Sequence, residues 1–217
     1  MDGPESEGSL LAGERFRARN EGLMMEEILE KLEAAISQEN WPEAEKYILL
    51  MLEEDETNPS LWYNLGLVRR RAGNNAQALE NFEKTLEFSP QHQGAMFERA
   101  AACLDMEDFN TALNDFAEYT AAYPDDGDGL LNLARIALHM EVPDLALQAF
   151  QKRAEIENDA ENILGAAEAM QMMGDEEGIS MLRRLFANNP PVRPELLKIM
   201  SQGSFGRVPL NSKAMLP

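Results

Sequence analysis

The sequence predicts an all-α protein built as an array of stacked repeats. Valine, isoleucine and threonine, the residues that strands favour, account for only 16 of 217 positions, whereas leucine, alanine, glutamate and methionine are abundant. The second observation is a 34-residue period, marked by four alanines that are each followed four positions later by a large apolar side chain. These pairs are Ala44 with Ile48, Ala78 with Phe82, Ala112 with Phe116, and Ala146 with Phe150. A fixed period over four units favours a repeat array over a helical bundle without repeats.

The unit around Ala78 carries a more complete motif. Its landmarks, in chain order, are Trp62, Leu65, Gly66, Gly73, Ala78, Phe82 and Pro90. This order resembles the tetratricopeptide repeat, W-x2-L-G-x2-Y…A-x3-F…P, and the resemblance covers about residues 24–190. It implies four to five pairs of antiparallel helices in a right-handed superhelical solenoid. In each pair, a small residue of the first helix lets the backbones approach, and the aromatic residue of the second helix fills the gap between neighbours.

The remaining elements follow from this frame. Turns are predicted at Gly73 and Asn74, at Glu107 and Asp108, and at Gly174 and Asp175, while Pro90 and Pro124 end one pair and begin the next. The chain departs from the family pattern at Leu32, which replaces a small residue, at Arg69, where the family often has tyrosine, and at Asn158, which replaces the closing proline. A fifth pair, about 160–188, is expected to slip by one residue in register.

The predicted domain organisation has four parts. Residues 1–20 form a disordered N-terminal segment, 21–190 the repeat array, 191–201 a short C-terminal capping helix, and 202–217 a flexible basic tail. The chain has 39 acidic and 19 basic residues, and its formal charge of −20 resolves into −25 up to residue 179 and +5 beyond it. We therefore expect either a free tail or one that docks on an acidic surface through apolar anchors, namely Phe205, Val208, Leu210 and Leu216.

Composition also narrows the partners and the location. The negative charge disfavours unaided binding to nucleic acid and to anionic membranes. The first ten residues, MDGPESEGSL, lack the basic and apolar regions of a signal peptide, and no apolar run approaches the length that spans a bilayer. We expect a cytoplasmic protein without membrane insertion, which binds a protein or peptide partner.

The sequence offers no set of residues for catalysis. Two histidines and one cysteine are too few for a structural zinc site or a cysteine–histidine nucleophile pair, and no phosphate-binding or nucleophile-elbow motif occurs. The segment PDDGDGLLNLAR has arginine where a calcium loop needs a bidentate glutamate, so it is interpreted as a turn that caps a helix. We expect Cys103 to be a buried apolar side chain and His92 to be a solvated loop residue. The prediction is therefore a protein that is not an enzyme, with no cofactor and no metal.

The first helices are expected to line a concave partner-binding groove. One row of positions, Leu29, Tyr63, Phe97 and Leu131, is apolar or aromatic, and the resemblance implies that it points into this groove. Polar neighbours and further groove positions complete the candidate site: Asn64, Leu67, Arg70, Arg71, Glu98, Asn132, Arg135 and His139. The arginines suit a carboxylate of a bound peptide. Alternatively, the apolar row only packs between adjacent first helices.

The favoured function is a non-enzymatic scaffold, adaptor or chaperone-like protein that binds a partner segment in the groove. Family members that hold the C-terminal peptides of chaperones use a lysine and an asparagine in the first repeat, where this chain has Leu29 and Glu33. A clamp of that kind is therefore disfavoured. The alternative function is a self-assembling structural homo-oligomer built from the array and its tail. A regulatory subunit of an enzyme is not distinguished from the first function by sequence.

Overall fold

The computed structural model describes residues 24–157 and 159–188, and over these residues the chain forms ten α-helices and no strand. The predicted all-α class is therefore confirmed. The helices are α1 (24–37), α2 (Trp41–Glu54), α3 (Pro59–Arg71), α4 (Asn75–Phe88), α5 (Gln93–Asp105), α6 (Phe109–Ala122), α7 (Gly127–His139), α8 (Pro143–Ile156), α9 (Ala160–Met172) and α10 (Glu176–Asn188). The predicted segment 1–20, the capping helix 191–201 and the tail 202–217 lie outside the described residues.

The helix boundaries reproduce the 34-residue period of the sequence. The helices α2, α4, α6 and α8 begin at positions 41, 75, 109 and 143, and the helices α3, α5 and α7 begin at positions 59, 93 and 127. The next helices, α9 and α10, begin at positions 160 and 176, one residue earlier than the period would place them. The expected one-residue slip of the fifth pair is thus confirmed.

The chain divides into two compact units, and the division falls within α5, after Ala102. In unit 1, α1, α2 and α3 enclose a core that contains Leu32, Ile48, Leu52 and Leu65, with Trp41 and Trp62 packed against it. In unit 2, α7 packs on both α6 and α8, and α9 packs on α8 and α10. The repeated Ala and apolar pairs are buried throughout, from Ala44 and Ile48 to Ala146 and Phe150, each no more than 2% exposed.

The same turn joins the two helices of every pair. One residue in each turn has positive φ, at Glu39, Gly73, Glu107, Glu141 and Gly174. In the second turn, Gly73 N–H donates to the carbonyl of Arg70 at 2.9 Å and Asn74 N–H donates to that of Arg69 at 2.8 Å. The other four turns repeat both bonds. These are Schellman motifs, which satisfy the last carbonyls of the first helix, and they confirm the three predicted turns.

The close contact between α3 and α4 depends on Gly66. An ideal Cβ built on this residue lies 2.4 Å from Cε1 of Phe82, whose ring is fully buried. Since real Cβ atoms essentially never lie so close to another heavy atom, α3 reaches this distance from α4 only because position 66 has no side chain. The predicted roles of the small residue and the aromatic residue are confirmed here.

A polar contact between consecutive pairs recurs in unit 2. Near the end of α6, the Tyr119 hydroxyl donates to Asp126, the N-cap of α7, at 2.5 Å. Near the end of α8, Arg153 occupies the corresponding position and donates to Asp159, the N-cap of α9, at 3.0 and 3.1 Å. Arg153 is only 5% exposed, so this ion pair holds a buried guanidinium at the point where the closing proline is missing. The expected role of the PDDGDG segment as a helix-capping turn is confirmed, since Asp126 accepts from Gly129 N–H at 2.9 Å.

We predict that Gly66→Ala lowers the free energy of unfolding by about 1–2 kcal/mol, because the loss from overpacking exceeds the gain in helix propensity. Chemical denaturation followed by circular dichroism measures the change. Asn64→Ala, an exposed position of the same helix, is the control and shifts stability by no more than about 0.5 kcal/mol. Equal unfolding midpoints for Gly66→Ala and the wild type would contradict the packing role.

The second prediction concerns acid sensitivity at Asp159. The hydrogen bond from Arg153 lowers the pKa of this carboxyl, with further help from the Asn162 backbone N–H. The carboxylate therefore stabilises the fold above its unfolded pKa, about 4, and this contribution is lost as pH falls through the lower folded pKa. At pH 7, Asp159→Asn keeps an N-cap acceptor but removes the charge. We expect a loss of about 1–2 kcal/mol, since solvent screens the exposed part of this carboxylate.

The stability gap between Asp159→Asn and the wild type is expected to narrow steadily below pH 4. Urea titrations at several pH values measure it. Asp108→Asn is the matched control, because Asp108 is exposed and caps α6 by accepting a hydrogen bond from Thr111 N–H. At pH 7, we expect this variant to change the free energy of unfolding by no more than about 0.5 kcal/mol. If the difference in unfolding free energy between Asp159→Asn and the wild type does not depend on pH, the charge of Asp159 in its pair with Arg153 is unimportant for stability.

Candidate functional site

The first-helix face of unit 1 comprises Leu29 on α1, Tyr63, Asn64, Leu67, Arg70 and Arg71 on α3, and Phe97 and Glu98 on α5. Leu29, Tyr63 and Phe97 follow one another at the predicted 34-residue steps, as do Asn64 and Glu98. The side chains of this face are accessible to solvent to different degrees. Leu29 is 41% exposed, Asn64 and Arg71 are exposed, and the other side chains are half-buried. Neighbouring positions on the same helices, such as Leu65 and Ala100, are buried.

Tyr63 packs between consecutive pairs and also contributes to this face. Its ring lies 4.7 Å from the His92 ring and 6.1 Å from the Phe82 ring, centroid to centroid. An ideal Cβ on Gly94 of α5 lies 2.7 Å from the Tyr63 hydroxyl oxygen, so the side chain covers a position where α5 has no side chain. For Tyr63, the packing interpretation of the apolar row therefore holds together with partial exposure.

Burial and the nearby Glu98 carboxylate raise the pKa of Tyr63. Its hydroxyl therefore stays protonated at neutral pH and keeps its ability to donate a hydrogen bond. The site thus places one protonated phenol beside Phe82, His92 and Gly94 within unit 1.

His92 contradicts the prediction of a solvated loop residue. Its Nδ1 accepts a hydrogen bond from Ala95 N–H at 3.1 Å, which caps the start of α5. The ring also stacks on Tyr63 and is half-buried. His92 was predicted to be a loop residue because it follows Pro90. The 34-residue period, however, places it in line with the N-cap residues Asn58 and Asp126, and this alignment could have indicated a capping role.

Two of the three arginines at the end of α3, Arg69 and Arg70, form ion pairs within the protein. Nη1 of Arg70 lies 2.5 Å from Oε2 of Glu98, and the two side chains are only 27% and 20% exposed, respectively. Arg69 donates to Glu45 of α2 at 2.7 and 2.9 Å and to Asn81 of α4 at 3.3 Å, so it connects three helices. Sequence reasoning treated Arg69 as a departure from the family pattern and missed this role. Arg71, the third of these consecutive arginines, is exposed.

The first-helix face of unit 2 comprises Leu131, Asn132, Arg135 and His139, all on α7. Leu131 and Asn132 are half-buried, and Asn132 donates to the backbone carbonyl of Asp128 at 3.0 Å. Arg135 Nε donates to Glu161 of α9 at 2.8 Å, with side chains 55% and 45% exposed. The exposed His139 ring packs against the Phe109 ring at an interplanar angle of 47°, with 4.2 Å between the ring centroids. This face therefore offers a solvated ion pair beside apolar and aromatic surface.

Residues suited to redox or metal chemistry do not assemble into a site within the described ranges. Cys103 is 1% exposed, which confirms the expected buried thiol. Within residues 24–157 and 159–188, no group of three histidine, cysteine or acidic side chains is arranged to hold a metal ion. Over the same ranges, none of the helices combines the length and the apolar character that crossing a bilayer requires.

Paired helices with a fixed period, Schellman turns and partly exposed first-helix rows define a protein of the helical-repeat class. The tetratricopeptide repeat family matches residues 59–92 and residues 98–163. The chain therefore carries tetratricopeptide repeats over these two ranges, which are 100 of its 217 residues. Repeats of this family are protein-interaction scaffolds, and the match supports that class for this chain.

Solved structures support the fold. A crystal structure of MamA protein superposes with a TM-score of 0.68 at 15% identity, covering 80% of this chain and 96% of that one. A tetratricopeptide repeat protein from Parabacteroides merdae gives a TM-score of 0.70 at 22% identity, covering 81% of this chain and 73% of that one. These identities are low, so the similarity establishes the architecture alone.

Two curated relatives share a part of the sequence. Protein FlbA from Caulobacter vibrioides is 31% identical over 100 residues, which is 46% of this chain and 17% of the relative. Protein O-mannosyl-transferase TMTC3 from Homo sapiens is 31% identical over 99 residues, which is 44% of this chain and 11% of the relative. The chain thus matches less than a fifth of the length of each relative.

The third prediction compares how much two ion pairs contribute to stability, the Arg70–Glu98 pair of unit 1 and the Arg135–Glu161 pair of unit 2. Glu98→Gln is expected to lower the free energy of unfolding by about 1 kcal/mol, because it removes the charge that faces the half-buried Arg70 at that point. Glu161→Gln, the matched change in the solvated Arg135 pair, is expected to cost less than about 0.5 kcal/mol. Denaturant unfolding of both variants provides the comparison, and a larger loss for Glu161→Gln would reverse the assignment.

Proposed function

We propose that the protein is a non-catalytic scaffold that binds a segment of a partner protein along its first-helix faces. The main support is the apolar and aromatic row that stays partly accessible, Leu29, Tyr63 and Phe97 in unit 1 and Leu131 in unit 2. Other leucines of these helices, such as Leu32, Leu65 and Leu130, are buried, so the accessible row is a feature of particular positions in each repeat. Apolar burial supplies the affinity and a few polar groups set the register.

The polar groups beside the row support an extended peptide. In unit 1, the exposed Asn64 offers both a donor and an acceptor to a peptide backbone, and Tyr63 offers a hydroxyl donor. In unit 2, Arg135 receives a carboxylate by exchanging Glu161, because both side chains of that pair are already solvated. The remaining candidate residues, among them Leu67, Arg70, Arg71, Glu98, Asn132 and His139, border these contacts.

A second candidate function is self-assembly into a structural homo-oligomer. The observation in its favour is the polarised charge, −25 up to residue 179 and +5 after it, which allows one copy to attract another. Light scattering over a range of concentrations distinguishes the two functions. A monomer at all concentrations excludes self-assembly, whereas a defined oligomer that retains its mass on dilution favours it.

The fourth prediction tests the scaffold. Tyr63→Ala combined with Phe97→Ala is expected to weaken partner binding at least about tenfold, because two large apolar contacts are removed. Partners are first isolated from native lysate by affinity capture and mass spectrometry, and the binding of one purified partner is then measured by calorimetry. Leu49→Ala combined with Leu50→Ala is the matched control, since both leucines are exposed on α2.

Tyr63 also packs within the fold, so helicity and the unfolding midpoint are measured on the same samples. Asn64→Arg is a second variant that places a bulky charge on the exposed part of the face without disturbing buried side chains. We expect it to reduce binding while the midpoint stays unchanged. Wild-type affinity in both the double alanine variant and Asn64→Arg would refute the binding assignment.

A further inference from the structure

Helix α2 presents a row of exposed side chains along one face. Residues 42, 46, 49, 50 and 53 are all exposed and follow the three- and four-residue spacing of a single helix face. Leu49 and Leu50 lie in the middle of this row and are 40% and 36% exposed. Lys46 lies about one turn before them and Glu53 about one turn after them. These four residues are called the α2 stripe below.

The two leucines of the α2 stripe depart from the other repeats. The equivalent positions, at 34-residue steps, are mostly polar or charged: Glu83, Ala117 and Gln151 for Leu49, and Lys84, Glu118 and Lys152 for Leu50. Of these six residues only Ala117 is half-buried, and the others are exposed. The packing of the repeat therefore requires no apolar side chain at either position. Two adjacent exposed leucines form a surface that is stabilised when it is covered.

The charges on either side of the leucines are accessible to a partner. Lys46 is exposed, and its Nζ lies 5.3 Å from the centroid of the Tyr47 ring. Within the residues that the structure describes, neither Lys46 nor Glu53 forms an ion pair. The α2 stripe thus fits an occupant with an anion opposite Lys46, apolar side chains in the middle, and a cation opposite Glu53. A second copy of α2 has this order when it runs in the opposite direction.

We propose that two copies of the chain associate through an antiparallel pair of α2 helices. The midpoint of the stripe lies between Leu49 and Leu50, and a twofold axis at this point places the leucines of the two copies against each other. Lys46 and Glu53 each lie about 5 Å from the midpoint along the helix. The same axis therefore places Lys46 of each copy opposite Glu53 of the partner subunit. A parallel pair is disfavoured because it would bring like charges together.

The contact is small, so the expected dimer is weak and reversible. Helix α2 has 14 residues and is about 21 Å long, and one pair of such helices buries less than the roughly 1,200 Å² of a stable interface. The formal charge of −20 on each copy also opposes association. This dimer goes beyond the proposed function. It differs from a structural homo-oligomer that retains its mass on dilution, and it uses a second helix, whereas the partner-binding face consists of first helices.

The test is a charge swap in the full-length protein. Sedimentation equilibrium over the micromolar to millimolar range measures the dissociation constant of the dimer. Lys46→Glu and Glu53→Lys are each expected to raise this constant at least about tenfold, because each reversal replaces two symmetric ion pairs with two repulsive contacts. The double variant has the net charge of the wild type, and we expect it to restore the constant to within about threefold.

Two exposed residues outside the α2 stripe provide controls for the change in net charge. Lys152→Glu on α8 and Glu83→Lys on α4 make the same two reversals, and each is expected to change the dissociation constant by less than about twofold. Leu49→Ala combined with Leu50→Ala is expected to abolish the dimer. Partner binding is measured below the dissociation constant of the dimer, where this variant and the wild type are both monomers, so the variant remains a valid control there.

Two results would overturn the proposal. The first is a monomer at every concentration. The second is an oligomer whose dissociation constant does not respond to the single reversals, or a double variant that associates no more tightly than the single variants, and either outcome assigns association to another surface. Partner binding by the Tyr63 and Phe97 variants is measured independently, so a failed charge swap leaves the scaffold function standing.

Discussion

The contact between a residue without a side chain and a buried aromatic ring sets the spacing on which the helix stack depends. Within the α3–α4 pair, Phe82 occupies the space that a Cβ on Gly66 would need. Between consecutive pairs of unit 2, Tyr119 and Phe150 fill the space at Gly129 and Gly165, where an ideal Cβ would lie 2.5 and 2.1 Å from the rings. Because a ring fills each gap, neighbouring helices are held at a distance that short turns and linkers can join. These glycines are 63 and 36 residues apart, so the same kind of contact occurs at positions that are not equivalent in the repeat.

The linkers show how the same geometry is maintained with different chemistry. Positions 119 and 153 are one repeat apart and both donate to the N-cap residue of the following helix. Tyrosine does so through a hydroxyl, whereas Arg153 adds a charge and also bonds to Asn162 at 3.2 Å. The buried guanidinium is tolerated because its two terminal nitrogens donate to Asp159, Glu157 and Asn162. The structure therefore preserves a contact between pairs where the repeat consensus is lost.

Much of the fold could be predicted from the sequence because the period constrains every repeat at once. The paired alanine and aromatic positions, the turn at Gly73 and the slip after α8 follow from spacing alone. The turn at Glu107 was predicted, but the positive φ of Glu39, Glu107 and Glu141 could not be, since glutamate has no preference for this conformation. The ion pairs were also out of reach. Arg69 and Glu45 are 24 residues apart and Arg70 and Glu98 are 28 apart, and neither distance is a multiple of the repeat.

These ion pairs divide the recognition chemistry between the two units. In unit 1, a ligand carboxylate at Arg70 has to displace the half-buried Glu98. The ligand carboxylate then loses its hydration, and the gain is small because Arg70 only exchanges one carboxylate partner for another. The proposed binding in unit 1 therefore depends on apolar contact with Leu29, Tyr63 and Phe97. In unit 2, Arg135 and Glu161 are solvated, so an incoming carboxylate replaces one exposed pair with another at little cost. Under the proposed function, the face of unit 1 therefore favours an apolar ligand segment, and the face of unit 2 favours an acidic group.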